Sequence, residues 1–367
     1  MKRKVLFIIP SLSGGGAERV FSLLVRHLDR NEFDPRLALL KKEGPFLADV
    51  PEDVEVIDLK CEKSRYSPVK IIRLVRQMQP DIVFTTLGYL NLISLMAGVF
   101  YPKTVKTVIR ESTYVSESLK LEKYGRLFVR LYRRLYKKAD RIICLSESMK
   151  GDLLSRFDIP EGRVTMIPNP VEYHEIRRRA EAETEPELAG KLDETERERT
   201  LLAVGRLEYE KGHDLLIQAL AFLPKDVRVI LAGSGSRRED LEKLAESGGF
   251  RDRVIFAGFQ SNPFSLTRYA SVFVFPSRYE GFGSALVEAL ACGLPAVSFA
   301  GPTAAREIIR PGFNGFLSEK IDPEHLAEAI GKALDNEFDG KAIAGDAEER
   351  FDVRRIIPRY EDVFRHV

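Results

Sequence analysis

The chain has 367 residues, of which 44% are hydrophobic and 31% charged, with a formal net charge of +2. That length exceeds one comfortable hydrophobic core and points to two domains, while the balanced charge excludes the strong basic excess of a nucleic-acid binder. Cys61, Cys144 and Cys292 form no CxxC pair, which argues against a disulfide framework or a zinc site and fits a reducing cytoplasm.

The first segment, Met1-Lys-Arg-Lys and then Val5 to Ile9, faintly imitates a signal peptide. Its apolar run ends at once in Pro10 and a glycine cluster, short of the roughly 7–15 apolar residues that an h-region needs. A strand buried on both faces is expected over 4–9. A helix follows over 17–28, where Val20, Phe21, Leu24 and Leu28 share one face. Strands are expected over 37–40 and 54–59, then a helix over 69–78. Pro80-Asp81 punctuates before a strand over 82–85. The apolar stretch 90–100 falls short of the ~20 residues that span a bilayer. Strands over 105–109 and 141–145 come next, and Ser146 caps a helix running to about Phe157.

Composition changes near Val171. Residues 175–200 are dense in Glu and Arg, which predicts an exposed, partly helical junction. A second alternation then begins, with strands over 201–204, 227–231, 254–256, 272–275 and 296–299, and helices over 213–221, 323–334 and 356–364. The alternation predicts an α/β chain: parallel sheets flanked by helices in a domain over 1–170, a junction over 171–199 and a second domain over 200–351.

In open α/β sheets ligands bind beyond the carboxyl ends of the strands, and four loops qualify. Gly14, Gly15 and Gly16 follow the first strand and open a helix, whose unpaired N–H groups suit a phosphate; a plain tight turn is the other reading. Gly205-Arg206-Leu207-Glu208-Tyr209-Glu210-Lys211-Gly212 sets two cations at a strand end. Arg206 can fork onto phosphate oxygens and Lys211 can add a point charge, although exposed surface cations would look the same. Ala232-Gly233-Ser234-Gly235-Ser236 resembles a dinucleotide fingerprint but carries Arg238 where the third glycine belongs, which weakens an NAD reading. The fourth loop is Pro276-Ser277-Arg278-Tyr279-Glu280-Gly281-Phe282-Gly283-Ser284, entering a helix that carries Glu288. Two carboxylates eight residues apart suit a hydroxyl-rich ligand.

Together these loops resemble the retaining glycosyltransferases of family 4. The likeness runs through GGGAERV, LSESMKGDL, IPNPV, GRLEYEKG, AGSGS, FAGF, EGFGSALVEALACGLPAV, GPTAAREII and NGFL, and so covers nearly the whole chain. It implies the GT-B fold: two Rossmann-like parallel-sheet domains facing across a cleft, with a C-terminal helix, 352–367, returning to the N-terminal, acceptor-side domain. Glu280 and Glu288 match the family's E-x7-E motif.

The roles implied by the resemblance are these. Arg206 and Lys211 bind the donor diphosphate, and with Glu280 are the catalytic residues. Glu288 holds the ribose. Glu280, with the backbone of Gly281, Phe282 and Gly283, grips the transferred sugar. Gly258 and Phe259 lie beside the base, and Gly15 and Gly16 near the phosphate. Gly14, Arg110 and Glu111 are acceptor-side candidates. Many relatives carry a histidine where Arg110 and Glu111 stand, so these two either substitute for it or are structural. The five histidines of the chain are read as structural.

The implied reaction moves a hexosyl or N-acetylhexosaminyl unit with retention, from a nucleotide diphosphate sugar to a lipid-linked or glycan hydroxyl. UDP is favoured only by family frequency. No Asp-x-Asp motif announces a metal, so metal independence and no cofactor are expected. Arg126, Arg130, Arg133, Arg134, Lys137 and Lys138, interleaved with apolar residues, predict a basic amphipathic helix. Such a helix fits peripheral attachment to the inner membrane face or a core-packed helix with a solvated basic side. A sugar-nucleotide epimerase, a phosphorylase and a non-catalytic nucleotide-sugar-binding module are the rival readings.

Overall fold

The computed structural model describes residues 2–61, 66–120 and 125–367. The chain divides into two compact units, one built from 1–170 with 353–367 and the other from 171–352.

In the first unit the described strands are β1 (Arg3–Ile9), β2 (Phe33–Leu39), β3 (Val56–Asp58), β4 (Ile82–Thr86), β5 (Lys106–Arg110), β6 (Arg141–Cys144) and β7 (Val164–Met166). They form one sheet in the order β3-β2-β1-β4-β5-β6-β7, and every pairing is parallel. β1 is buried on both faces, as a central parallel strand must be. Val5, Phe7 and Ile9 join one apolar cluster, and Leu6 and Ile8 another. Pro35 lies inside β2, which the sequence pattern did not foresee. It precedes Leu37, the first residue to pair with β3, so one side of the strand is open there and the missing N–H costs no ladder bond.

The helix Val353–His366 completes this unit. It buries Ile356, Ile357, Tyr360 and Phe364 against an aromatic group in which Phe21 stacks on Phe84 at 4.9 Å and Phe364 meets Phe84 at 5.3 Å. Pro358 sits inside the helix, which is longer at both ends than the expected 356–364. Ser146 caps the helix Glu147–Phe157 as its sequence position predicts, its hydroxyl accepting from the Met149 N–H at 3.2 Å.

The second unit holds β8 (Thr200–Val204), β9 (Arg228–Ala232), β10 (Val254–Gly258), β11 (Val272–Phe275), β12 (Ala296–Phe299) and β13 (Gly315–Ser318). Their order is β10-β9-β8-β11-β12-β13, again all parallel. The edge strands β7 and β13 were not expected from the sequence. Gly315 lets β13 approach its neighbour: a Cβ there would lie 1.8 Å from the Ala296 carbonyl oxygen.

The charged stretch 171–199 is less solvated than its composition suggests. Ile176 is fully buried, and arginines fasten the stretch to its surroundings by side chain-to-backbone bonds. Arg177 donates to the Cys292 carbonyl at 3.2 Å, Arg268 to that of Ala182 at 2.7 Å, and Arg197 to that of Ala270 at 3.1 Å.

Each sheet reverses its winding once, between β1 and β4 and between β8 and β11. Crevices at such reversals are where doubly wound sheets bind ligands.

Candidate active site

In the second unit the reversal is flanked by the loops after β8 and β11. Gly212 (φ +66°) makes their meeting possible, because a Cβ at this position would lie 2.0 Å from the Pro276 carbonyl oxygen. The Arg278 N–H donates to the Glu210 carbonyl at 2.8 Å. The result is a contact between two sequence-predicted residues 69 positions apart: Lys211 Nζ donates to Glu280 Oε2 at 2.5 Å. Both side chains are largely covered, and the ammonium lies 5.8 Å from the centre of the Phe275 ring.

Arg206 is exposed and pairs with Glu210 at 2.7 Å. Exposed pairs of this kind contribute about 0–1 kcal/mol, so a phosphate can displace Glu210 at little cost. The other loops are hydrogen-bonded in succession. Leu207 N–H donates to the Ser234 carbonyl at 2.9 Å, Gly233 N–H to that of Gly258 at 2.7 Å, and Glu280 N–H to that of Pro302 at 3.1 Å. Gly258 (φ +70°) thereby ends β10 beside the glycine loop, and the next residue, Phe259, is 75% exposed.

Gly281 and Gly283 flank the turn into the helix Ser284–Ala291, with Gly283 at φ +96° as its N-cap. Phe282 is assigned to the sugar through its backbone, and its side chain turns into the core. It is 3% exposed and packs edge-on against Phe351 at 5.8 Å, which leaves only its backbone for a ligand. Glu288 lies in the same helix, beside Val204, Phe264, Thr267 and Phe273 in a small crevice.

Gly14, Gly15 and Gly16 belong to the first unit and are exposed in the turn between β1 and the helix Gly16–His27. Arg110 and Glu111 follow at the end of β5, and both are fully buried. The Arg110 guanidinium donates to the Tyr360 hydroxyl at 3.2 Å, the Thr86 hydroxyl at 3.2 Å and the Asn169 side-chain oxygen. These bonds tie β5 to the C-terminal helix, and of the two alternatives for Arg110 they favour the structural one. Burial pushes the Glu111 carboxyl above its usual pKa, against hydrogen bonds from the Tyr136 hydroxyl at 2.5 Å and the Ser112 N–H at 3.0 Å.

Sequence reasoning missed a second polar group beside Lys211. Arg278 forks onto Asp214 at 2.9 and 2.7 Å and covers the Tyr209 ring at 4.3 Å. Only the charge of Arg278 in a glycine-bounded loop hinted at it. His213 was read as structural; it is buried, and burial with the neighbouring Lys211 cation lowers its pKa to about 4.

Comparison with known proteins bears on the family and the fold. Residues 14–175 match the model of Glycosyltransferase Family 4, and residues 184–350 that of Glycosyl transferases group 1. The chain belongs to the family-4-like glycosyltransferases of the GT-B fold. A curated relative of this glycosyltransferase is the N-acetylgalactosamine-N,N'-diacetylbacillosaminyl-diphospho-undecaprenol 4-alpha-N-acetylgalactosaminyltransferase of Campylobacter jejuni, 29% identical over 95% of this chain and 94% of the relative. Another is the alpha-D-kanosaminyltransferase of Streptomyces kanamyceticus, 29% identical over 56% of this chain and 53% of that protein. Among solved structures, Anabaena HepE in complex with UDP superimposes with a TM-score of 0.80 at 21% identity, over the whole of both chains.

Proposed function

We propose that this glycosyltransferase moves a hexosyl or N-acetylhexosaminyl unit from a UDP-sugar, with retention of configuration, to a hydroxyl of a lipid-linked or glycan acceptor. The observation that carries the reading is the contact of Lys211 with Glu280 at the winding reversal, beside the glycine-bounded start of the helix Ser284–Ala291. A cation for the diphosphate and a carboxylate for sugar hydroxyls stand together there, as donor activation requires. The UDP bound to HepE and the diphospho-undecaprenol in the name of the Campylobacter relative support the choice of donor and acceptor.

In the proposed reaction Arg206 and Lys211 neutralise the departing diphosphate, and the backbone N–H groups around Gly283 add partial positive charge. Glu280 orients the sugar through its hydroxyls and Glu288 holds the ribose. The acceptor hydroxyl attacks the anomeric carbon on the face from which the diphosphate leaves, and a leaving-group phosphate oxygen takes its proton. Gly14, Gly15 and Gly16, exposed on the first unit, are assigned to the acceptor, whereas the full burial of Glu111 and its bonds to Tyr136 and Ser112 support a structural role for that carboxyl. No cofactor or metal enters this scheme, and turnover is expected to survive a chelator.

The acceptor reading places the protein on the cytoplasmic face of the membrane. No helix among the described residues is long and apolar enough to cross a membrane. The helix Gly125–Leu135 turns Tyr132 and Leu135 inward and leaves Arg130, Arg133 and Arg134 exposed. Residues 121–124 and the Arg126 side chain, part of the basic stretch read from the sequence, lie outside the described residues. An exposed basic face attracts anionic headgroups.

The test is a transfer assay with labelled UDP-, GDP- and ADP-sugars and a bacterial lipid extract, followed by organic partition. Label entering the lipid phase from one UDP-sugar, with an unchanged anomeric configuration, is expected. An isomerised donor would instead indicate an epimerase, and binding without turnover a binding module.

A further inference from the structure

Arg278 is attached to the segment 209–214 at several points. Its Nη1 donates to the Tyr209 carbonyl at 2.8 Å and to Asp214 Oδ1 at 2.9 Å, and its Nη2 donates to Asp214 Oδ2 at 2.7 Å. Its backbone N–H reaches Glu210, and its guanidinium lies over the Tyr209 ring. These attachments bracket Lys211 on one loop and stand two residues before Glu280 on the other. Arg237, from the loop after β9, also reaches Asp214 at 3.3 Å, so three loops converge on one carboxylate.

The pair is built for holding rather than for binding a ligand. Both side chains are about five-sixths covered, at 16% and 15% exposure. The fork spends both Asp214 oxygens on Arg278, which leaves the guanidinium little capacity for a phosphate. Burial works to raise the Asp214 carboxyl, and the Arg278 fork, the Arg237 cation and a backbone hydrogen bond together more than reverse this, so Asp214 stays ionised. Apart from the fork, backbone bonds hold the Lys211 turn, from the Lys211 N–H to the Glu208 carbonyl at 3.1 Å, the Gly212 N–H to that of Tyr209 at 3.2 Å and the Arg278 N–H to that of Glu210 at 2.8 Å.

We propose that Asp214 and Arg278 are a positioning pair that sets Lys211 against Glu280, so that the diphosphate-binding cation and the sugar-binding carboxylate act as one rigid unit. The inference rests on the donor-site reading above. It adds two residues that do not touch the donor but control the geometry of those that do. A displacement of about 1 Å between such groups can cost about 10²-fold in rate.

The experiment compares Arg278→Gln, Asp214→Asn, Arg278→Lys and the Arg278→Gln/Asp214→Asn double variant, each checked for a wild-type melting transition. The first readout needs no substrate: acetylation of Lys211 by acetic anhydride, followed by mass spectrometry, against Lys225 and Lys332 as exposed references. In the wild type the Glu280 contact protects Lys211. In Arg278→Gln and Asp214→Asn its reactivity is expected to rise about tenfold, the scale of one hydrogen bond to a charged group, with the references unchanged. Arg278→Lys should fall between, and the double variant should be no worse than either single one, as for residues acting through one contact.

With the donor from the transfer assay, kcat should fall about 10–100-fold while the UDP dissociation constant moves far less. Wild-type Lys211 reactivity in folded Arg278→Gln or Asp214→Asn would overturn the proposal. An equal rise at Lys225 and Lys332 would also overturn it, since that marks general loosening. If the wild-type protein ignores UDP, the donor reading fails while the Lys211 comparison still decides the positioning role.

Discussion

Lys211 and Glu280 contact each other at 2.5 Å, so each of the two groups assigned to the donor is neutralised by the other before any donor arrives. A diphosphate must share or replace Glu280 as the partner of the ammonium. Glu280→Gln frees the cation and also removes the sugar-gripping charge. The expected outcome is UDP binding that is tighter or unchanged by calorimetry, with turnover lower by about 10². UDP binding weakened tenfold would contradict this reading of the pair.

Lys211→Ala removes the cation itself. Turnover is expected to fall by about 10²–10³, the scale for deleting one transition-state stabiliser, with the fold intact by circular dichroism. A folded variant turning over at the wild-type rate would remove Lys211 from the mechanism.

Glycines on the two units should respond in opposite ways. A Cβ at Gly212 meets the Pro276 carbonyl oxygen at 2.0 Å, whereas one at Gly16 meets nothing within 4 Å. Gly212→Ala should therefore destabilise by roughly 2 kcal/mol or more in urea unfolding, since it adds strain at positive φ to a backbone clash. Gly16→Ala should leave stability unchanged or raised by about 0.4–1 kcal/mol.

His213 makes stability depend on acid. Its folded pKa of about 4 lies below the ordinary 6.5, so the unfolded chain takes up the proton more readily. The group's contribution is whole above pH 6.5 and is lost as pH falls from 6.5 toward 4, amounting to about 3 kcal/mol. Burial outweighs the contact of the ring with the Arg206 backbone, and His213→Phe removes the titrating group while keeping a planar ring in the buried site. Urea titrations across this window should show a shallower decline for His213→Phe; equal slopes would refute the assignment.

Arg130, Arg134 and Lys138 are exposed along one helical face and its continuation. Reversing all three to Glu should abolish co-sedimentation with phosphatidylglycerol vesicles at low salt, since each basic residue near the surface contributes about 1 kcal/mol. Binding to neutral phosphatidylcholine vesicles should be negligible for both proteins.

What the sequence disclosed depended on how local the signal was. β1, β8 and β11 are continuous apolar runs ending in glycine-rich or charged loops, so strand, strand end and candidate loop could be read together. Lys211 and Glu280 followed because each stands in such a loop. Arg110 carried the same local signal, a charge at a strand end, and its burial could not be read. The partner that covers it, Tyr360, is 250 residues away. The Asp214–Arg278 fork is hidden for the same reason, since its halves lie 64 positions apart and neither is unusual alone. Phe282 stood inside the most specific motif, yet its ring serves the core through Phe351, a contact that neighbouring residues do not announce.

The helix Val353–His366 imposes an order of events on synthesis. Phe7, Phe21 and Phe84 emerge from the ribosome early, but Phe364, which closes over them, follows the whole of the second unit. At about 5–20 residues per second, residues 1–170 wait roughly ten to forty seconds with that aromatic surface uncovered. The second unit, contiguous from 171 to 352, meanwhile has all of its own strands. It is therefore expected to mature first although it is made last, and a nascent chain stalled before residue 353 should be a chaperone client through its N-terminal part alone.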